Sequence, residues 1–311
     1  MVSMTQPALH ISVLLHELIE GLAVISGGRY IDCTLGGGGH AKAVLSASMP
    51  GGRLLGMDAD PRAVETAGEA LSPFYGHYTI VNENFGNLEV VAHQHGFSQV
   101  QGIYFDLGLS SLQLDEPGRG FSFLHDDPLD MRFGPWQTRT AAELVNDATV
   151  EELARVIHAY GEEPRSWAIA RRVAAARPVT STKQLADLIR EAAPVRTRHI
   201  HPATRTFQAL RIWVNDELAV LEKALEQAVG LLAPGGRIAV IAFHSLEDRI
   251  VKDFFASESR DCICPPRLPV CVCGHKAVLK RITRRVIVPT QSEQGTNPRS
   301  RSARLRVAER V

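Results

Sequence analysis

The sequence predicts an α/β fold: a mostly parallel sheet with helices on both faces, interrupted by an all-helical insert. Three observations predict it. Short apolar runs alternate with helical patterns over the first hundred residues. Four successive glycines, Gly36 to Gly39, stand between the first such run and the next helix. Residues 112–213 then show helical spacing and turns with no convincing strand, after which the alternation resumes.

In chain order, residues 11–24 place apolar side chains at helical spacing and open the fold. A strand over 29–35 runs into the glycines, a helix follows over 41–48, and Pro50-Gly51-Gly52 makes a turn. The second strand, 53–57, ends at Asp58, and Pro61 suits the first position of the next helix. A third strand runs from Tyr78 towards Phe85, a short amphipathic helix follows, and the fourth strand, 102–105, ends at Asp106. Strands separated by helices of this length imply parallel pairing with both faces covered. In the insert, helices are predicted over 141–144, 150–160, 166–176 and 181–192. A helix over 215–232, the turn Ala233-Pro234-Gly235-Gly236 and a strand over 237–243 return the chain to the sheet. Residues 290–302, rich in Ser, Gly, Pro and Arg, read as a loop. The expected organisation is a core of residues 1–111 and 214–311 with residues 112–213 inserted.

Charge adds a candidate surface. Lys plus Arg balance Asp plus Glu at 34 each, yet residues 276–311 carry a local net of +8, so the remainder is net −8. A basic tail on a neutral chain is a candidate phosphate-binding surface, or a strand edge kept soluble by charge. No apolar run is long enough to span a membrane. Glu17 and Glu20 fall in the first apolar stretch and no Lys or Arg precedes Arg29, the reverse of a secretory signal, so a cytoplasmic protein is expected.

The glycine run has a mechanical use. Glycine permits positive φ and close ligand approach, and the helix behind it offers unpaired N–H groups. Asp58, 22 residues beyond Gly36 and ending the neighbouring strand, stands where nucleotide-binding α/β folds place an acid for ribose hydroxyls. The dinucleotide fingerprint does not fit, because Ala41 occupies the place of its third glycine. Asp32 lies four residues before the run instead, and the pattern Asp-x-x-x-Gly-x-Gly resembles the first motif of Rossmann-like methyltransferases. Asp106-Leu107-Gly108-Leu109-Ser110-Ser111 closes the fourth strand at the carboxyl edge, where open sheets bind ligands. Amino-methyltransferases place the groups that hold the target amine there. Asp106 is the first candidate to accept hydrogen bonds from such an amine, with Ser110 and Ser111 as candidate substrate contacts or helix caps.

Longer stretches extend the likeness. They are His10-Ile-Ser-Val-Leu-Leu15, Tyr30-Ile-Asp-Cys-Thr-Leu-Gly-Gly-Gly-Gly-His40 and Gln113-Leu-Asp115. Arg119-Gly-Phe-Ser-Phe123, Pro128-Leu-Asp-Met-Arg132 and His201-Pro-Ala-Thr-Arg-Thr-Phe-Gln-Ala-Leu-Arg211 follow. Phe243-His-Ser-Leu-Glu-Asp-Arg249 and Asn297-Pro-Arg-Ser-Arg-Ser-Ala303 complete the set. Over nearly its whole length the chain resembles the bacterial small-subunit rRNA cytosine-N4 methyltransferases. That resemblance implies a Rossmann-like class I methyltransferase core with a helical insert, S-adenosyl-L-methionine as donor, and methylation of the N4 amine of a decoding-centre cytosine. It implies donor contacts at Gly38, Gly39, His40, Asp58, Phe85, Asp106 and Gln113, with Phe85 able to stack on adenine. His244, after the fifth strand, is a further candidate substrate contact, and Glu247 or Asp248 could orient an arginine or the RNA, or start a helix. The implied partner is 16S rRNA within the small subunit, with a second copy of the chain a candidate and no membrane. Ten Lys or Arg against four acids between Tyr160 and Arg211 suit phosphate contact by the insert, although a solvated helical surface accounts for most such charges singly.

Four of the five cysteines form Cys262-Ile-Cys264 and Cys271-Val-Cys273, a pattern suited to a reducing compartment. Four thiolates can bind zinc, but paired ligands are usually separated by two or more residues, so the segment is read as a proline-stiffened loop and no metal is assigned. Cys33, inside the first strand, is read as a packing residue. Other readings of the whole chain are a methyltransferase acting on DNA or a small molecule, a dehydrogenase, and a non-catalytic RNA-binding module.

Overall fold

In the computed structural model the described residues are 12–110, 113, 114, 116–194, 201–265, 268 and 270–311. They form two compact units: Met1–Gly108 with Leu221–Val311, and Leu109–Val220.

The first unit is built on a seven-stranded sheet. Its strands are β1 (Arg29–Asp32), β2 (Arg53–Asp58), β3 (Tyr78–Asn82), β4 (Val100–Asp106), β5 (Leu232–Ala242), β6 (Leu279–Arg281) and β7 (Arg304–Arg310). Their order is β3-β2-β1-β4-β5-β7-β6, with β1 to β5 parallel and β7 antiparallel to both neighbours. Strand order reverses between β1 and β4, which opens a crevice beyond their carboxyl ends. Helices α1 (Leu15–Leu22), α2 (Gly39–Ser48), α3 (Pro61–Leu71) and α4 (Leu88–Gln94) alternate with the early strands.

Successive side chains serve opposite faces, so each parallel strand is apolar on both. Ile31, Leu55, Ile103, Ile238 and Val240 enter one cluster with residues of α4 and with Leu221, Leu225 and Leu231. Tyr30, Leu54, Tyr104, Ala239 and Ile241 enter another, with residues of α1, α2, α3 and β7. Cys33 is fully packed in the first cluster, as its sequence position implies.

Some boundaries differ from the sequence reading. The third strand stops at Asn82, and Phe85 begins a 3-10 turn, Phe85–Asn87, capped by the Asn84 side chain. β5 begins at Leu232, before the Pro-Gly-Gly turn, and its register shifts between Val100 and Gly102. Residues 290–302 contain a helix, Gln291–Thr296, and a 3-10 segment, Pro298–Ser302, rather than a loop. Thr290 caps that helix, and the Glu293 carboxylate accepts the Leu14 N–H at 2.8 Å, so the segment braces the start of α1.

The second unit has its own core. Helices α5 (Ala141–Asp147), α6 (Val150–Gly161), α7 (Ser166–Ala175), α8 (Thr182–Ala192) and α9 (Ala203–Asn215) bury Leu144, Leu153, Ile157, Ile169, Leu188 and Phe207 among others. The family-like stretches meet here. Asn215 accepts the Phe133 N–H and donates to the Met131 carbonyl, both at 2.8 Å. Arg119 donates to the Arg132 and Phe133 carbonyls, and Phe123 stacks on His201 at 4.4 Å. Gly120 has φ +76, and a Cβ there would strike the Pro128 carbonyl. Many basic residues of this unit serve its own structure: Arg172 pairs with Glu191, Arg211 with Glu217, and Arg177 donates to the Val145 and Ala148 carbonyls. Helix α10 (Glu217–Leu231) returns the chain to β5, and α11 (Ser245–Ser257) follows that strand.

Candidate functional site

The site forms where β1, β2 and β4 end. Register places Asp32 opposite Gly56 on one side and Tyr104 on the other. Beyond Asp32 the chain keeps contact with both neighbours: Cys33 N–H donates to the Tyr104 carbonyl and Leu35 N–H to the Met57 carbonyl. This carries Thr34 alongside Asp106, whose N–H donates to the Thr34 hydroxyl oxygen at 2.6 Å.

The glycines then turn the chain into α2. Gly38, at φ +78, is the residue before the helix, and a Cβ there would press on Ala67 of α3 at 3.3 Å. A Cβ at Gly39 would overlap the Ser12 hydroxyl. Gly38 is therefore required by its backbone conformation and its neighbour, whereas at Gly39 the Ser12 hydroxyl would have to turn aside. Asp58 holds the turn against β2: its carboxylate accepts the Gly36 and Asp60 N–H groups, each at 2.8 Å.

Three carboxyls are set into this edge, Asp32 fully buried and Asp58 and Asp106 partly so. Burial pushes Asp106 up to about 7, helped by the negative charge of Glu247. Asp32 is likewise raised to about 7 by burial, against the Thr34 N–H and His40. Asp58 is raised to about 6 by burial, against its backbone donors. Among the described residues none of the three pairs with a lysine or arginine. Asp106 Oδ1 is buried without a hydrogen-bond partner. Its other oxygen lies 3.4 Å from His40 Nδ1.

His40 can be assigned a tautomer. Its Nε2 is 2.9 Å from the Val13 carbonyl, which only accepts, so Nε2 carries hydrogen. Burial lowers the His40 pKa, partly offset by that bond. Neutral His40 thus turns a bare Nδ1 towards Asp106 Oδ2, and the two groups together can hold one proton between them.

Of the residues chosen from sequence, Gly38, Gly39, His40, Asp58 and Asp106 come together at this edge. Phe85 sits just past β3, half-buried and edge-on to Phe105 at 5.6 Å. His244 is the N-cap of α11: its Nδ1 accepts the Glu247 N–H, while Glu247 accepts the Phe243 and His244 N–H groups. Asp248 takes the other role expected of this pair, binding Arg306 at 2.7 Å and Arg304 at 3.1 Å across to β7. Ser110 and Gln113 belong to the second unit, where Gln113 accepts the Ser110 N–H and donates its own N–H to the Ser110 hydroxyl oxygen. Ser111 lies outside the described residues. Sequence reasoning misses Thr34, Ser12 and Tyr104; only Thr34 carries a signal, its place between Asp32 and the glycines.

A model of the MraW methylase family matches residues 7–311. Ribosomal RNA small subunit methyltransferase H of Dehalococcoides mccartyi is 55% identical over 302 residues, covering 97% of this chain and 86% of the relative. The protein of the same description from Thermomicrobium roseum is 53% identical over 305 residues, covering 97% and 94%. Among solved structures, an rRNA methylase from Streptococcus thermophilus aligns with a TM-score of 0.44 at 11% identity, covering 97% of this chain and 99% of that one.

Proposed function

The chain belongs to the MraW methylase family, and from that premise we propose that it methylates the N4 amine of a cytosine in the decoding centre of 16S rRNA, with S-adenosyl-L-methionine as donor. Relatives described as ribosomal RNA small subunit methyltransferases support the substrate class. The base and the atom rest on the resemblance in sequence and on the chemistry of Asp106.

The edge fits the donor. S-adenosyl-L-methionine supplies a methyl group activated by a sulfonium, and carries ribose hydroxyls and an α-ammonium. Three sequestered carboxyls with no lysine or arginine counter-charge among the described residues suit a cationic ligand. Gly38, Gly39 and His40 would hold the donor at the turn, Asp58 its ribose, and Phe85 its adenine, with Gln113 a further contact.

The observation that carries the proposal is the partnerless Asp106 Oδ1 at the end of β4. Cytosine N4 is a weak nucleophile because its lone pair is delocalised into the ring. An ionised Asp106 accepts a hydrogen bond from the amine, orients its lone pair, and takes a proton as the nitrogen acquires its fourth bond. His40 Nδ1, beside Oδ2, can share that proton. Positioning accounts for much of such a rate, on the order of 7–11 kcal/mol at best, and no covalent nucleophile is needed. The target base must leave its stack to reach the edge. Ser110, Ser111 and His244 are the substrate contacts proposed, and the helical unit the RNA-reading element, acting on the small subunit in the cytoplasm. No helix of the described residues is long and apolar enough to cross a membrane.

The test is mass mapping of small-subunit rRNA from cells lacking this chain, rescued with wild type or Asp106→Asn. One decoding-centre cytosine should lose an N4 methyl group, regained only with wild type. A full methyl complement in the deletion strain would refute the assignment.

A further inference from the structure

We propose that Cys262, Cys264, Cys271 and Cys273 form a tetrahedral site for a structural zinc ion. All four Sγ atoms lie within 4.8 Å of one another. Cys271 and Cys273 are 3.6 Å apart, and Cys273 and Cys262 3.8 Å. A regular tetrahedron with Zn–S bonds of about 2.3 Å has edges of about 3.8 Å. The same separations are far beyond a disulfide, whose sulfurs are about 2.05 Å apart, and all four cysteines are free.

The one-residue spacing, which as a pattern counts against a metal, has a geometric answer. In extended backbone alternate residues share a side. An extended Cys-x-Cys arm can set both thiols on one side and the middle residue on the other; Ile263 and Val272 are 50% and 78% exposed, while Cys264 is half-buried and the other three cysteines are exposed. The Val272 N–H also donates to Cys264 Sγ at 3.4 Å, tying one Cys-x-Cys arm to the other and favouring thiolate on the sulfur. His275 is engaged elsewhere, with Nε2 3.3 Å from the Ser257 carbonyl, so the ligand set is four sulfurs. Soft thiolates in a tetrahedron select zinc or iron.

Among its described residues the segment has no other interior. It leaves the end of α11 and rejoins the sheet at β6, its base closed by the Val278 and Leu279 N–H groups on the Glu258 carbonyl. Ile263, Leu268, Val270 and Val272 are all exposed, and none of them joins a core cluster. A loop that buries no apolar side chains needs a cross-link to be ordered, and a metal supplies one. Each cysteine ligates as thiolate, so loading releases the thiol protons to solvent.

The test uses the full-length chain purified without chelator. Elemental analysis should find about one zinc per chain. The four thiols should resist a thiol reagent in the native protein and react once a chelator is added. Cobalt added to the stripped protein should give the visible absorption of a tetrahedral thiolate site. Cys264→Ser and Cys271→Ser should each lose most of the zinc, whereas Ile263→Ala keeps it, and stripping should speed proteolysis between residues 258 and 278. Four reactive thiols with no bound metal, a disulfide in the freshly purified chain, iron in place of zinc, or zinc retained by both serine variants would overturn the proposal.

Discussion

The proton on Asp106 ties both activity and stability to pH, in opposite directions. Its carboxyl titrates at about 7, and the groups that face it are His40, Glu247 and Asp32. If the ionised form accepts from the target amine, kcat/KM should fall about tenfold per pH unit below about 7 and level off above it. Stability should run the other way. Because the folded pKa is raised, the native state binds this proton more tightly than the unfolded chain does. Stability is therefore greatest below the unfolded value of 3.8, declines as pH rises towards about 7, and stays lower above it. A shift of about three units corresponds to roughly 4 kcal/mol. Asp106→Asn removes that penalty, so at pH 8 it should melt at a higher temperature than wild type while kcat drops about 10²–10⁴-fold. The assay is transfer of labelled methyl from donor to small subunits across pH 5.5–8.5, with melting of both proteins in the same buffers. A flat wild-type profile, or an Asn variant that melts lower at pH 8 and keeps its activity, would refute the reasoning.

Three further outcomes are expected. Asp58→Ala strips two backbone N–H groups of their acceptor; donor affinity measured by calorimetry should weaken about 10–150-fold, matching about 1.5–3 kcal/mol for a charged hydrogen bond, and unchanged affinity would remove Asp58 from the site. Gly38→Ala imposes a side chain at φ +78 against Ala67; about 1–2 kcal/mol of strain should appear as a lower denaturant midpoint together with weaker donor binding. Asp248→Ala removes the carboxylate that holds Arg306, 14% exposed, and Arg304, 48% exposed; unfolding should cost about 1.5–3 kcal/mol less. Burial opposes ionisation of Asp248, but the two arginines hold its pKa below the ordinary range, so its contribution is present above the unfolded value and lost as pH falls through the folded one.

Much of the candidate site was legible because the chemistry proposed for it constrains residue type. A glycine run at a strand end and acids closing β2 and β4 have few other uses in that order. Thr34 is marked in the sequence only by its place between Asp32 and the glycines; its contact with the Asp106 N–H depends on the register of β1 against β4, which no local pattern encodes. Helix α9 escapes the sequence reading for a different reason. Thr206, Arg211 and Asn215 are buried among Ala203, Phe207, Ala209, Leu210, Ile212 and Val214, so polar residues stand on the packed face and blur the apolar period. The helix at 291–296 is the reverse case: none of its residues is buried, and composition suggests a loop, yet Thr290 three residues before Glu293 is a visible start signal. The paired cysteines are visible as a motif, but only the distances show that single-residue spacing brings four sulfurs together.

Two kinds of sequestered acid coexist in the sheet unit, and their difference bears on the charge of the ligand proposed for the edge. Asp248 is compensated within the chain, by arginines on β7 that hold its charge. Asp32, Asp58 and Asp106 are compensated mainly by backbone N–H groups and one histidine, and all three are raised towards neutrality. An uncompensated acid cluster weakens the apo protein as pH rises, and folding alone gives no reason to keep it. A cation that enters the edge removes the penalty, and it removes most where the carboxyls are most ionised. Donor binding should therefore raise the melting temperature more at pH 8 than at pH 6, beyond the roughly 2.7 kcal/mol that saturation at a hundredfold excess over Kd supplies at fixed affinity. The demethylated product, which lacks the sulfonium charge, should show a smaller pH dependence in the same titration. Equal pH dependence for the two ligands would mean that the carboxyls answer to something other than the sulfonium.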